Sequence, residues 1–417
     1  MKFSWFSLLL ILTIGHCSSA DAKSKGKAKL RQVQVLFRHG ARAPTEKISD
    51  PSYYPKFPRG LGEMTDTGFA NSYLMGRFLK ARYVDEGYLN PIMRPKEMYW
   101  RSVNKNRCLS TASTVGFAMF NDENDVRHYH VPVFTEESEE HLLNYQQNLC
   151  EREIQLVREK CPDFDGKFHP WVKYEAFIAN CLNYTHPVFA EYPFDTIESH
   201  MNEYKNSIPP PPLIQQHLNE VMGIYVNVTQ FITGTGNHHD PRMMRVKFGY
   251  LMKTLLERIK TMKTFLEAKR SMNETELKDF RDGINKDWDE QKFVVYSTQD
   301  WILMGVLDSL GVLEDTVGLD AYPEYNSMII LELWEKNGEF FVKTYYKKEE
   351  ITSDHHLLLD VSHLVRNCQD TECSYDDFIS CCDEYKSDKK KGCRLGNTRQ
   401  TRRLESAGVK PEFAGPE

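Results

Sequence analysis

The sequence predicts an α/β protein whose strands end in polar residues and whose strand signal is interrupted by a long helical stretch. Three observations carry this. Two short β-favouring runs far apart in the chain, VQVLF at 33–37 and FVVYS at 293–297, each pass straight into polar residues. Between about 131 and 292 the strand signal fades and helical periodicity takes over. With 417 residues, 41% of them hydrophobic, the chain can bury one large core with a subsidiary part.

Taken in order, residues 1–20 begin with Lys2, continue through an apolar run and end in Ser-Ser-Ala, as a secretory signal peptide does. Its roughly nine apolar residues are too few for a membrane span, which needs about 20. Residues 21–29 are small, basic and polar, and read as a flexible lead-in. Val33, Val35 and Phe37 then alternate into Arg38, His39, Gly40, Ala41, Arg42, Ala43 and Pro44, so a buried strand ends where two cations and an imidazole begin. In open α/β sheets the crevice beyond the strand carboxyl ends collects ligands, and Gly40 lets the backbone approach an anion. Two guanidinium forks can clamp the oxygens of a phosphate while an imidazole between them attacks phosphorus, so this stretch points to phosphoryl transfer.

A Pro-rich aromatic loop covers 50–58, and Thr65 or Asp66 caps the helix that follows, with Phe69, Ala70, Tyr73, Leu74 and Phe78 as its expected buried stripe. A strand at 98–100 delivers Arg101, and the next helix start delivers Arg107, aiming more positive charge at the first site. In the helical stretch, Phe248, Met252, Leu255, Ile259, Met262 and Leu266 mark a long amphipathic helix expected to pack on the sheet. Residues 209–212 are four prolines and a rigid connector, and the Gly-Thr-Gly-Asn-His-His-Asp run at 234–240 reads as a loop. The strand at 293–297 ends before Gln299 and Asp300, which precede a helix over 301–310. Residues 328–333 and 340–346 flank Asn337 and Gly338 as a hairpin with a I′ turn. The stretch 386–417 is basic and polar, and reads as a mobile tail.

A formal net charge of -6 speaks against a nucleic-acid partner, so any affinity for phosphate must come from local arginines. Of ten cysteines, Cys17 lies in the leader and nine remain, an odd number, with Cys108 expected to be free and buried. Sequons at Asn183, Asn227 and Asn273 fit an exported chain.

The run RHGARAP at 38–44 resembles the signature of the histidine acid phosphatases, the group that includes prostatic and lysosomal acid phosphatases. The hairpin sequence ELW-EKNGEFFV resembles the family's corresponding hairpin, so the likeness spans most of residues 30–385. It implies a phosphoglycerate mutase-like core with a mixed, mostly parallel sheet flanked by helices, and a helical insertion over about 131–292 covering the site. It further implies hydrolysis of small phosphomonoesters in a secreted or lysosomal setting, with no metal or cofactor. By the same resemblance His39 is the nucleophile, Arg38, Arg42 and Arg107 bind the phosphoryl group with Gln299 at the fourth binding position, and Asp300 protonates the leaving group; Arg101 is read as a supporting residue. Cys368 is expected to pair with Cys373, and Cys150 with a C-terminal cysteine. Relatives are often dimers; a homodimer stays open here, with Tyr53 and Tyr54 as a face for one.

One position departs from the pattern. The family reads His-Asp where this chain reads Gln299-Asp300. Replacing a charged donor to phosphate by a neutral one costs on the order of 1 to 2 kcal/mol, about tenfold in rate. The alternative reading is a weak or inactive pseudophosphatase that binds phosphorylated ligands.

Overall fold

The computed structural model describes residues 26–121, 129–136, 142–143, 150–167, 169–284, 287–348 and 358–388. Strand β1 (Lys29–Arg38) is followed by α1 (Asp66–Leu79), β2 (Met98–Ser102), α2 (Asn106–Phe120) and the short β3 (Val133–Phe134). Among the described residues a run of helices then carries the chain to 282. These are α3 (Glu151–Lys160), α4 (Trp171–Cys181), α5 (Pro187–Glu191), α6 (Phe194–Lys205), α7 (Pro212–Gln216), α8 (Leu218–Thr233), α9 (Pro241–Ser271) and α10 (Glu274–Asp282). The chain returns to the sheet with β4 (Phe293–Thr298), α11 (Asp300–Leu310) and α12 (Leu313–Thr316). It ends in β5 (Met328–Lys336), β6 (Glu339–Lys347), β7 (Leu358–Asp360), β8 (Cys373–Ser374) and α13 (Tyr375–Ser380).

The strands form one mixed sheet in the order β3-β2-β4-β1-β5-β6-β7, with β8 also on β6. From β3 to β1 the ladders are parallel; from β1 onward they are antiparallel. The hairpin turns through Asn337 and Gly338 at φ 56° and 91°, the left-handed pair that a I′ turn requires. The register decides where chemistry collects: Arg38 lies beside Thr298, and Ser102 beside Ser297. Three parallel carboxyl ends, remote in sequence, therefore open onto one crevice.

Helices cover both faces of the sheet, which is why β4 is buried throughout and β1 from Gln32 onward. Leu36, Val294 and Tyr296 face a core shared with α9 and α11, while Val33, Val35, Phe37 and Val295 face α1 and α2. The long periodic helix is α9, and Gln34 donates from the sheet to Leu255 O at 2.9 Å. For α1 the expected stripe was misplaced. Leu74 is exposed, and the buried face is Gly68, Asn71, Ser72, Met75, Gly76 and Leu79. Small residues at i, i+4 and i+8 win because neighbouring backbone comes too close for larger ones: a Cβ on Gly68 would stand 2.2 Å from Ala41 O, and one on Gly76 2.5 Å from Val115 O.

Two disulfides join described residues. Cys368–Cys373 is as expected, and Cys161–Cys181, which ties α3 to the end of α4, was not anticipated. Cys150 is disulfide-bonded, but its pairing lies outside the described residues. Cys108 is free and buried, and so are Cys381 and Cys382. The leader lies outside the described residues, as does most of the basic tail. The start of that tail is docked on α9, where Ser387 N donates to Gly249 O at 3.1 Å.

Candidate active site

His39 follows β1 and is 2% exposed. Its backbone N–H donates to Thr298 O across the parallel ladder at 3.0 Å, and its Nδ1 lies 2.8 Å from Gly40 O. A carbonyl can only accept, so Nδ1 carries the proton and Nε2 keeps its lone pair. Arg107 Nε donates to that lone pair at 3.2 Å. Burial first, then the charges of Arg107, Arg38 and Arg42, hold the imidazole well below its usual pKa, so it is neutral. A neutral imidazole with its Nε2 lone pair has the chemistry of a nucleophile.

Three guanidinium groups surround it. Arg38, also from β1, pairs through Nη2 with Asp300 Oδ2 at 2.7 Å, donates through Nη1 to Pro323 O at 2.7 Å, and lies over the Tyr325 ring at 4.0 Å. Arg42 directs both Nη atoms at Glu198 Oε1, each at 3.2 Å. Arg107, in the first turn of α2, donates from Nη2 to Gln299 Oε1 at 3.3 Å. Burial, with Arg42 beside it, lowers the pKa of Arg107. Crowded cations with desolvated hydrogens suit an anion that accepts from all of them.

Across the crevice β4 is followed by Gln299, the cap residue of α11, and Asp300 opens the helix. Asp300 Oδ1 accepts from Trp301 N at 2.8 Å, which leaves Oδ2 to Arg38. The six residues picked out by sequence, Arg38, His39, Arg42, Arg107, Gln299 and Asp300, thus line one cavity of about 370 Å³. Arg101 does not join them. It stands between Tyr99 and Glu136, because on a strand its side chain is committed by the pleat to one face of the sheet.

The helical stretch covers the site as the resemblance implied, but sequence reasoning named none of the side chains it brings to the cavity. Trp171 stacks near Trp301 at 6.2 Å between ring centroids, and Tyr225, Met222 and Tyr322 extend the apolar surface. Glu175 is buried there, and burial pushes its carboxyl well above the usual range. Helix α6 stitches this cap to the signature loop: Glu198 takes Arg42, Asn206 Nδ2 donates to Arg42 O at 2.9 Å, and Ser199 Oγ to Lys47 O at 2.7 Å. Nothing in the α6 sequence distinguishes Glu198 from a solvated helix face.

The family model for the histidine phosphatase superfamily (branch 2) matches residues 29–347, which include both strand ends and Arg107. The chain belongs to that superfamily. Among curated relatives of this histidine phosphatase, "Putative acid phosphatase 1" of Caenorhabditis elegans is 27% identical over 391 residues, covering 89% of this chain and 84% of the relative. "Prostatic acid phosphatase" of Bos taurus is 25% identical over 84% of this chain and 86% of its own. "Lysosomal acid phosphatase" of Rattus norvegicus is 25% identical over 82% and 76%. Among solved structures, a Hafnia alvei phytase in complex with tartrate superposes at TM-score 0.57 with 14% identity, covering 88% of this chain and 99% of that one. That likeness establishes the phosphatase fold, and the curated relatives establish an enzyme of the phosphatase class.

Proposed function

We propose that this enzyme hydrolyses phosphate monoesters in two steps at His39. In the first, Nε2 attacks phosphorus and the P–O bond to the alcohol breaks, with the electron pair leaving on oxygen, which takes a proton from Asp300. In the second, water attacks the phosphohistidine, giving its proton to Asp300; the N–P bond breaks, and phosphate and free His39 are released. Arg38, Arg42 and Arg107 receive the three phosphoryl oxygens. Gln299 turns its carbonyl to Arg107, which leaves its amide hydrogens as a neutral donor to the same group. The leaving group rests against the aromatic wall of the cap.

The observation that carries this reading is the neutral Nε2 lone pair of His39 enclosed by three guanidinium groups, with Asp300 on the same cavity. The disulfides and exposed sequon residues Asn183 and Asn273 support a secreted or lysosomal setting. Among the described residues no helix is long and apolar enough to cross a membrane.

The test is release of p-nitrophenol from p-nitrophenyl phosphate from about pH 3 to about pH 8 by wild type, His39→Ala and Gln299→His. Turnover that vanishes in His39→Ala supports the reading. Absence of turnover in wild type, with gain in Gln299→His, would make the natural protein a phosphate-site binder.

A further inference from the structure

Away from the phosphate clamp, three side chains with metal-ligand chemistry meet where α5 approaches the start of α8. His186 is the cap residue of α5, His217 the cap residue of α8, and Glu220 lies in the first turn of α8. Glu220 Oε2 is 2.8 Å from His186 Nε2 and 3.2 Å from His217 Nδ1, and the two imidazole centroids are 4.9 Å apart. One donor atom from each residue lies within 4.8 Å of the other two.

We propose that this trio binds a divalent cation of the zinc class, with water completing a four-coordinate shell. Two imidazoles and a carboxylate are a donor set that zinc takes. Bonds of about 2.0 to 2.2 Å at tetrahedral angles need donors somewhat over 3 Å apart; the His217–Glu220 pair is already near that spacing, the His186–Glu220 contact has to open slightly, and the two histidine donors start within 4.8 Å of each other. The site has an entry path, because the Glu220 side chain is 63% exposed while the His186 side chain is 11% exposed. A fixed ring, a partly fixed ring and a mobile carboxylate suit capture of an ion from solvent.

The His186 ring sets the strength. Val188 N donates to its Nδ1 at 3.2 Å, so in the metal-free state the ring proton sits on Nε2 and is shared with Glu220. Metal at Nε2 moves the proton to Nδ1 and opens the contact with Val188 N. Metal-bound histidines ordinarily donate from their second nitrogen to an acceptor, and here a donor stands in that place. Binding is therefore micromolar rather than that of a closed structural site. Its consequence lies in the cap: α8 also carries Met222 and Tyr225 into the catalytic cavity, within two turns of Glu220. An ion joining α5 to α8 fastens that wall.

The test titrates the full chain at neutral pH with Zn²⁺ by calorimetry and with Co²⁺ by visible absorption, for wild type, Glu220→Gln and His217→Gln. One equivalent bound with micromolar affinity is expected, with a tetrahedral Co²⁺ spectrum. Both variants should bind at least about tenfold more weakly, while their metal-free melting curves match wild type. Glu220 is exposed enough for its variant to fold. No binding by wild type, or equal binding by wild type and Glu220→Gln, would overturn the site and leave the trio a hydrogen-bonded cluster. Because none of the three touches the phosphate clamp, this result is independent of the proposed hydrolysis.

Discussion

Arg107 Nε donates to His39 Nε2 at 3.2 Å, so the guanidinium occupies the lone pair that a phosphoryl group must reach. It also holds Gln299 through Nη2, and so one side chain links the proposed nucleophile just after β1 to the cap residue between β4 and α11.

Arg107→Lys is expected to lower kcat/KM for p-nitrophenyl phosphate by roughly a hundredfold to a thousandfold. Lysine keeps a charge but cannot hold His39 and Gln299 while also meeting a phosphoryl oxygen. Inorganic phosphate should inhibit the variant more weakly, as steady-state kinetics with added phosphate will measure. A loss of less than threefold would remove Arg107 from the clamp.

The lowered pKa of His39 sets the sign of two pH effects. The folded chain refuses a proton that the unfolded chain accepts below about pH 6.5. Stability from this group is therefore full above that pH and lost as pH falls through the window toward the lowered folded value. His39→Asn should flatten that acid-side decline, read as urea midpoints against pH. In wild type the same shift keeps the imidazole neutral in acid, so kcat/KM should persist well below pH 6.5, where an unperturbed histidine nucleophile would be protonated. Arg107→Lys preserves the charge and should move this limb little, whereas Arg107→Gln should move it upward, and only partly, since burial is the larger cause.

Gln299→His should raise kcat/KM about tenfold in acid, where the new imidazole is a charged donor, and the gain should fade as pH rises and it loses its proton, below the usual histidine range because Arg107 stands beside it. Asp300→Asn should depend on the alcohol that leaves. With an alkyl phosphate, whose alkoxide needs a proton, the loss is expected to be about a hundredfold or more; with p-nitrophenyl phosphate it should be much smaller. Comparing the two substrates in one variant separates proton donation from a mere loss of the Arg38 ion pair, which would slow both alike.

The strand-end residues were legible because parallel pairing obliges them to converge. VQVLF and FVVYS declare buried strands, and once β1 and β4 are neighbours, His39 and Asp300 must share a crevice. Arg107 followed from a helix start next to a strand. The partners that set the electrostatics were not legible: Glu198, Glu175 and Tyr325 reach the cavity from separate segments, and no periodicity marks which face of a helix meets a loop 156 residues away in sequence. The buried face of α1 failed for a related reason. Hydrophobic spacing favoured Phe69 and Leu74, but close backbone approach at Gly68 and Gly76 decided the packing. Cys161 and Cys181 are paired by the meeting of α3 and α4, which their sequence positions do not encode.

The approach at Gly68 yields the last prediction. In Gly68→Ala the new Cβ meets Ala41 O at 2.2 Å and Ala41 N at 2.8 Å, both backbone atoms of the loop between His39 and Arg42. The helix cannot yield without moving that loop, because Gly40 is packed in turn on Gly68: a Cβ there would stand 2.5 Å from Gly68 O. Overpacking of this kind costs about 1 to 3 kcal/mol, and here it also displaces the clamp, so Gly68→Ala should lower both the melting temperature and kcat/KM. Gly76→Ala offers the contrast. It meets Val115 O at 2.5 Å and Ala118 Cβ at 2.6 Å on α2, two turns further along, and neither residue is among those that line the cavity. Its stability should fall by a similar amount while kcat/KM, measured below the melting transition, stays within about twofold of wild type. Equal loss of activity in both variants would mean that α1 acts on the site only through global stability.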